Sequence, residues 1–321
     1  MRPLNPCWPR NCCATIVIYV SALISSQILQ LSSADGLWRA QISPVGASLV
    51  GLWHADVEIV ASPYDEPLRA LAGSVMAPWP NRLEDGTWKL GNREFAAVVN
   101  DTDGNNANHG LVFDKAFDIV NQTDSLLRLE TRIFDELAYP FEVLLKVTYS
   151  LENDGLKISF EALNQAAEAV PVAFGLHPYF VAEEDSELDL NARTWVQKNS
   201  RNLPIHSSPI DSSSAAQQGR NRIAELDIDD CFTDFVSNER GYFVTTITRP
   251  SMGMAVDIEQ SHALSFLMLY KLQEVEKKKR MLLAVEPQTS KANFLRNLEG
   301  ETLLQPNQVL EATCHIKLRK I

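Results

Sequence analysis

Phe141–Leu151 reads FEVLLKVTYSL, Leu156–Leu163 reads LKISFEAL, and Asn153-Asp154-Gly155 stands between them. Two apolar-rich runs of strand length around a turn-forming triplet predict a β-hairpin. The same grammar recurs on both sides. Thr87–Leu90 (TWKL), Gly91-Asn92 and Arg93–Ala96 (REFA) form a second strand–turn–strand phrase. Tyr242–Thr248, Met254–Ile258, Ser265–Lys271 and Met281–Val285 read as further strands. Val309–Leu318 (VLEATCHIKL) alternates apolar and polar residues, as a half-buried strand does. No segment keeps a helical period and no fixed-length repeat is present. Strands at this density without helices predict an all-β protein, a large antiparallel β-sandwich formed as one domain over residues 27–321. Asn199–Asn221, rich in Ser, Asn, Gln and Pro, is expected to be a long surface loop. Lys277-Lys278-Lys279-Arg280, beside Glu274 and Glu276, is expected at a solvated hairpin tip.

The chain has 321 residues, 29 Lys plus Arg against 41 Asp plus Glu, and a net charge of −12. Such a surface repels phosphate backbones and anionic lipid, so neither nucleic acid nor a membrane surface is the expected partner. A neutral small molecule fits this balance best. The five cysteines are Cys7, Cys12, Cys13, Cys231 and Cys314, and none is spaced as in a zinc site. Cys231 and Cys314 stand alone, and buried reduced thiols in a reducing compartment are expected.

The first 26 residues differ from the rest. They hold Arg2, Arg10 and the apolar run Ala14–Ile24 (ATIVIYVSALI), and the first acid of the chain is Asp35. The run is too short to span a bilayer, yet long enough for a signal-peptide core. Residues 1–26 are therefore read as an extension, a signal or an anchor. The expected location is cytoplasmic, with export or membrane tethering through this segment as the alternative. No stable membrane insertion is expected, and oligomeric state has no sequence signal.

Several polar residues lie where chemistry could occur. His109 follows the turn-forming stretch Asn105–Asn108, and His177 is bracketed by Gly175 and Pro178 with Phe174, Tyr179 and Phe180 around it. Aromatic walls beside a titratable group suit a sugar, whose C–H faces pack on rings. Each histidine could equally be a satisfied structural residue. Glu286, in Val285-Glu286-Pro287-Gln288-Thr289, closes an apolar run and would gain basicity if desolvated; it could also be a strand-ending acid in water. Arg82, in Trp79-Pro80-Asn81-Arg82, can grip vicinal hydroxyls or pair with Glu84 or Asp85. Asp227–Phe232 gathers carboxylates without the spacing of an EF-hand.

Taken in order, Pro44–Leu49, Asn81-Arg82-Leu83 with Gly86, Asn108-His109-Gly110, Gly175–Phe180, Asp229–Phe232 and Val285-Glu286-Pro287 resemble the aldose 1-epimerase (galactose mutarotase) family. The resemblance covers roughly Ile28 to Leu318. It implies a cofactor-free and metal-free isomerase that interconverts the α and β anomers of an aldose. It further implies Glu286 as general base, His177 as general acid and His109 in support of developing charge. Arg82, Asn81, Asp229 and Tyr179 would then meet the sugar, with Asp230 as the competitor of Asp229. His109-Gly110-Leu111 and Leu176–Val181 depart from the family's His-Gly-Gly and Asn-His-Thr-Tyr-Phe-Asn, which is similar to the broader branch of the superfamily. A hexose-6-phosphate 1-epimerase would share fold and chemistry, with Arg82, Arg93 and the Lys277–Arg280 run as phosphate candidates. A non-catalytic carbohydrate binder is the third reading, although it has no need of a matched acid and base. A lyase or hydrolase lacks a second carboxylate clearly paired with Glu286.

Overall fold

A computed structural model describes residues 28–63, 71–272, 281–298 and 303–321. The extension 1–26, its three cysteines and the Lys277–Arg280 run lie outside the described residues. Two antiparallel sheets dominate. Ten strands of the twelve-stranded sheet run in the order Leu29–Ser32, Trp38–Ser43, Ser48–His54, Val57–Ala61, Tyr179–Ala182, Met281–Gln288, Phe266–Leu272, Asp229–Phe235, Ala192–Lys198 and Pro204–Pro209. The two-residue strands Val75–Met76 and Gly175–Leu176 attach beside Met281–Gln288. The nine-stranded sheet contains the predicted hairpin, Val143–Glu152 paired with Gly155–Asn164, in full register from Val143↔Asn164 to Glu152↔Gly155. Its turn is therefore the pair Asn153-Asp154. Thr87–Leu90 and Arg93–Ala96 form the other predicted hairpin, a separate ribbon.

Alternation explains the packing. Inward residues of both sheets, among them Leu127, Val147, Ile158 and Ile316 from one and Phe232, Leu267, Leu283 and Val285 from the other, belong to one continuous core. Burying it is the main stabilising term, at roughly 25 cal/mol per Å² of apolar surface. Core aromatics keep their polar atoms bonded: the Tyr149 hydroxyl donates to Ala47 O at 2.5 Å and the Trp88 indole to Ala138 O at 2.8 Å. A smaller cluster of Ala61, Ala72, Tyr179, Leu282 and Ala284 lies apart from that core. Its members alternate with Phe180 and Leu283, so it marks the opposite, outer face of the twelve-stranded sheet.

The structure corrects two readings. Asn199–Asn221 is not wholly a loop: Pro204–Pro209 is the edge strand of the larger sheet and Gly219–Arg222 that of the smaller. Edge strands with exposed faces tolerate polar sequence, which removes the usual strand signal. The strand expected to stop at Val285 runs on through Glu286 and Pro287 to Gln288. Cys314 is buried and Cys231 half-buried, both as free thiols.

Candidate active site

Two cross-strand pairs build the site on that outer face. Gly175 pairs with Gln288 and Tyr179 with Ala284, so the same register sets His177 opposite Glu286. Pro178 and Pro287 fall in this interval. Neither has an N–H to give to a ladder, and the strands separate there. The backbone of His177 is held from the other side instead, its N–H donating to Ser74 O at 3.1 Å and its O accepting from Gly73 N at 2.7 Å. Gly73 sits at φ 71°, where a Cβ would lie 1.9 Å from Leu49 O. Only glycine fits there.

The second pair extends a small ribbon. Arg82–Glu84 pairs with Asn106–Asn108, and the next positions outward are Asn81 and His109. Both residues take left-handed backbone, φ 57° and 65°. His109 N donates to Asn81 O at 3.0 Å, and Asn81 N donates to His109 Nδ1 at 3.2 Å. The imidazole thus replaces a ladder carbonyl. Because Nδ1 accepts that bond, the single proton of neutral His109 resides on Nε2.

The two pairs meet. His177 Nε2 lies 3.3 Å from Glu286 Oε1, and the rings of His109 and His177 stack edge to face at 5.3 Å. The Tyr179 ring lies 5.1 Å from that of His177 and forms a buried wall behind it. Gln288 Nε2 donates to Glu286 Oε2 at 3.1 Å. Arg82 Nε donates to Asp101 at 3.2 Å, and its Nη2 lies 3.9 Å from Asp229 Oδ2. Glu84 and Asp85, the partners the sequence suggested for Arg82, take Arg201 and Arg296 instead. Arg93 lies on the separate hairpin, where it is bonded to Glu168, and has no part in the site.

Asp229 and Asp230 separate by strand alternation. Asp229 accepts a bond from Asn202 Nδ2 at 3.1 Å and lies 3.5 Å from Lys198 Nζ. Asp230 is more buried and receives the Trp195 indole at 3.0 Å. Asp229 shares the outer face with Cys231, Met268 and Glu286, as the pairs Cys231↔Met268 and Met268↔Glu286 show.

Burial governs the electrostatics. It pushes the Glu286 carboxyl well above the usual carboxylate range, reinforced by the negative charge of Asp229 and opposed by Arg82. It pulls His177 down to about 4, and His109 well below its ordinary value, with the neighbouring His177 and Arg82 adding to the effect on His109. Asp229 is also raised by burial, against the pull of Lys198 and Arg82. The result is a compact acid–base pair in a pocket that disfavours net charge. Among the described residues no cluster of His, Cys, Asp and Glu has metal-holding geometry.

The family model for aldose 1-epimerase matches residues 28–317. The chain belongs to the aldose 1-epimerase family. Its curated relatives include the uncharacterised protein YihR of Escherichia coli, 27% identical over 84% of this chain and 86% of that protein. Human galactose mutarotase is 28% identical over 45% of this chain and 42% of its own length. A crystal structure of a galactose mutarotase-like protein from Clostridium acetobutylicum superposes with TM-score 0.79 at 23% identity, over 92% of this chain and 95% of the other. The aldose epimerase homologue of C. elegans gives 0.79 at 15% identity, over 92% and 99%. These two likenesses speak to fold alone.

Sequence reading did not single out Lys198, Asn202 and Lys291, which line a cavity with Asn81 and Asp229, nor Asp101 and Gln288, which bond Arg82 and Glu286. Gln288 stood inside a quoted motif, two positions from Glu286. The others carry no local pattern; Lys198 ends the strand Ala192–Lys198 and Asn202 lies in the turn that leads to the edge strand Pro204–Pro209.

Proposed function

We propose that this chain is an aldose mutarotase acting by acid–base ring opening. Glu286 takes the proton from the anomeric hydroxyl, the C1–O1 bond becomes a carbonyl, and the C1–O5 bond breaks. O5 receives its proton from His177, giving the open aldehyde. Rotation about C1–C2 and the reverse transfers close the ring on the other face. Asn81, Arg82 and Asp229 hold sugar hydroxyls, Tyr179 walls the ring, and His109 steadies charge on O5 through its Nε2–H.

The 3.3 Å approach of His177 and Glu286 carries this reading. At that distance one proton serves both groups. With no sugar bound, burial leaves it on Glu286, because neutral partners cost less than a buried ion pair. A sugar that offers O1–H to Glu286 and O5 to His177 favours the other arrangement, with the proton on His177. General acid and general base each contribute on the order of 10²–10⁴ in rate, enough for a reaction that already proceeds in water.

The test is polarimetry or proton NMR on freshly dissolved α-D-glucose and α-D-galactose. Faster approach to anomeric equilibrium, lost in Glu286→Gln, supports the proposal. No acceleration of any aldose sinks it and makes a carbohydrate-binding role the leading reading.

Among the described residues no helix is long and apolar enough to cross a membrane. We propose a cytoplasmic location; fractionation of the full chain in cells would test it, and recovery outside the cytoplasm would overturn it.

A further inference from the structure

Arg82 and Asp229 stand on different sheets. Asp229 belongs to the twelve-stranded sheet, whereas the Arg82–Glu84/Asn106–Asn108 ribbon is a sheet of its own. No strand ladder therefore fixes the spacing between them.

Arg201 bridges the two. It stands in the turn 199–203, between the strands Ala192–Lys198 and Pro204–Pro209 of the larger sheet. The turn is held from within. Asn199 Oδ1 accepts from Arg201 N at 2.8 Å and from Leu203 N at 3.1 Å, and Asn202 takes left-handed backbone at φ 59°. From this base the Arg201 guanidinium crosses to the ribbon. Its Nε donates to Gly104 O at 2.7 Å and its Nη1 to Glu84 Oε1 at 3.3 Å. Its Nη2 donates to Asp85 Oδ1 at 2.7 Å and to Asn105 O at 3.0 Å. A planar fork met by acceptors from two segments has one seating, which a lysine ammonium cannot copy.

The contacts close a ring through Arg82 and Asp229. Arg201 O accepts from Asn106 Nδ2 at 3.2 Å, and the same Nδ2 donates to Asp101 Oδ2 at 2.9 Å. That carboxylate oxygen accepts from Arg82 Nε at 3.2 Å. Arg82 Nη2 lies 3.9 Å from Asp229 Oδ2, which accepts from Asn202 Nδ2 at 3.1 Å. Asn202 follows Arg201 in the chain, and the ring is complete. Little slack is left beside it: Asn81, Lys198, Asn202 and Asp229 line a cavity of about 20 Å³, room for about one water. The guanidinium bonds fall on the ribbon and its flanks, and none falls on His177 or Glu286.

We propose that Arg201 is a positioning residue, which holds Arg82 and Asp229 at the spacing that receives sugar hydroxyls and takes no part in the proton transfers. The proposal rests on the mutarotase reading for the task of Arg82 and Asp229.

The test is anomerisation kinetics and equilibrium titration with D-glucose and D-galactose, on the full chain and on Arg201→Gln, Arg201→Lys and Asp85→Asn. Arg201→Gln should raise KM and Kd about 10-fold and leave kcat within about twofold. Arg201→Lys should not restore them. Asp85→Asn weakens the same clasp from an exposed carboxylate and should raise KM about 2- to 5-fold. That variant decides the matter if Arg201→Gln does not fold. Added to Asp229→Asn, Arg201→Gln should change KM little further, because both act through one contact. An arginine that only stabilises the fold would lower Tm and leave KM unmoved. That result, full rescue by lysine, or a loss confined to kcat overturns the proposal. Turnover by wild type with KM unmoved in the variants removes Arg201 and keeps the mutarotase reading. Sugar binding without turnover removes that reading, and the Kd values then judge Arg201. Neither binding nor turnover overturns both.

Discussion

His177 and Glu286 occupy opposing register positions on neighbouring segments, and their Nε2 and Oε1 atoms lie 3.3 Å apart between two prolines that open the ladder. The separation is short enough for one proton to serve both groups.

Glu286→Gln keeps the size and the hydrogen bond with Gln288 but removes the base. Anomerisation should fall by about 10²–10⁴-fold while sugar affinity changes little. Polarimetry with a parallel binding titration checks this. Near-normal turnover would remove Glu286 from the mechanism.

The pH profile should be bell-shaped, with limbs that belong to the coupled pair. The acid limb is expected near pH 4, where His177 titrates and the pair takes a second proton. The alkaline limb marks loss of the shared proton, and it lies well above the ordinary carboxylate range because burial raises Glu286. An alkaline limb at the pKa of a free carboxyl would contradict the shared-proton arrangement.

Stability carries the same signature. A carboxyl whose folded pKa is raised contributes stability below its unfolded value and loses it as pH climbs through the folded one. Glu286→Gln should therefore melt a few degrees higher than wild type, the gain appearing only as pH rises above about 4.5. Thermal melts across pH read this directly, and a Tm difference independent of pH would count against it.

Adjacent carboxylates on opposite faces should fail differently. Asp229→Asn is expected to raise KM about tenfold with little loss of stability, since Asp229 lines the cavity. Asp230→Asn weakens the buried bond to Trp195 and should cost roughly 1–3 kcal/mol of stability, with KM nearly unchanged. Reversal of that pattern in kinetics and denaturant melts would exchange their roles.

Gly110 supports His109 from the next position. It lies at φ 77°, and a Cβ would fall 2.1 Å from Ala77 O. Gly110→Ala should cost about 1–3 kcal/mol and disturb the Asn81–His109 clasp. Denaturant unfolding checks the first effect and activity the second; a variant of wild-type stability would show that the backbone has room to shift.

Much of the fold was legible because strand signals are local. Turn pairs such as Asn153-Asp154 and Gly91-Asn92 fix hairpins from a few residues, and the alternation in Val309–Leu318 appears as the strand Val309–Lys320. The edge strands Pro204–Pro209 and Gly219–Arg222 were not legible. With one side unpaired and faces exposed, they need no alternating apolar residues.

By itself the sequence determined the element type, the hairpin turns and the short list of acids, bases and polar residues able to do chemistry, since each depends on neighbours within a few positions. Tertiary structure alone decided which of them meet. Register set His177 against Glu286 and Asn81 against His109, and alternation turned Asp229 to the cavity and Asp230 to Trp195. Folding also carried Lys198 and Lys291, unmarked in the sequence, to the same cavity. The reason is geometric: a cross-strand contact is fixed by the register between segments far apart in the chain, and a one-residue slip would send each of these side chains to the opposite face.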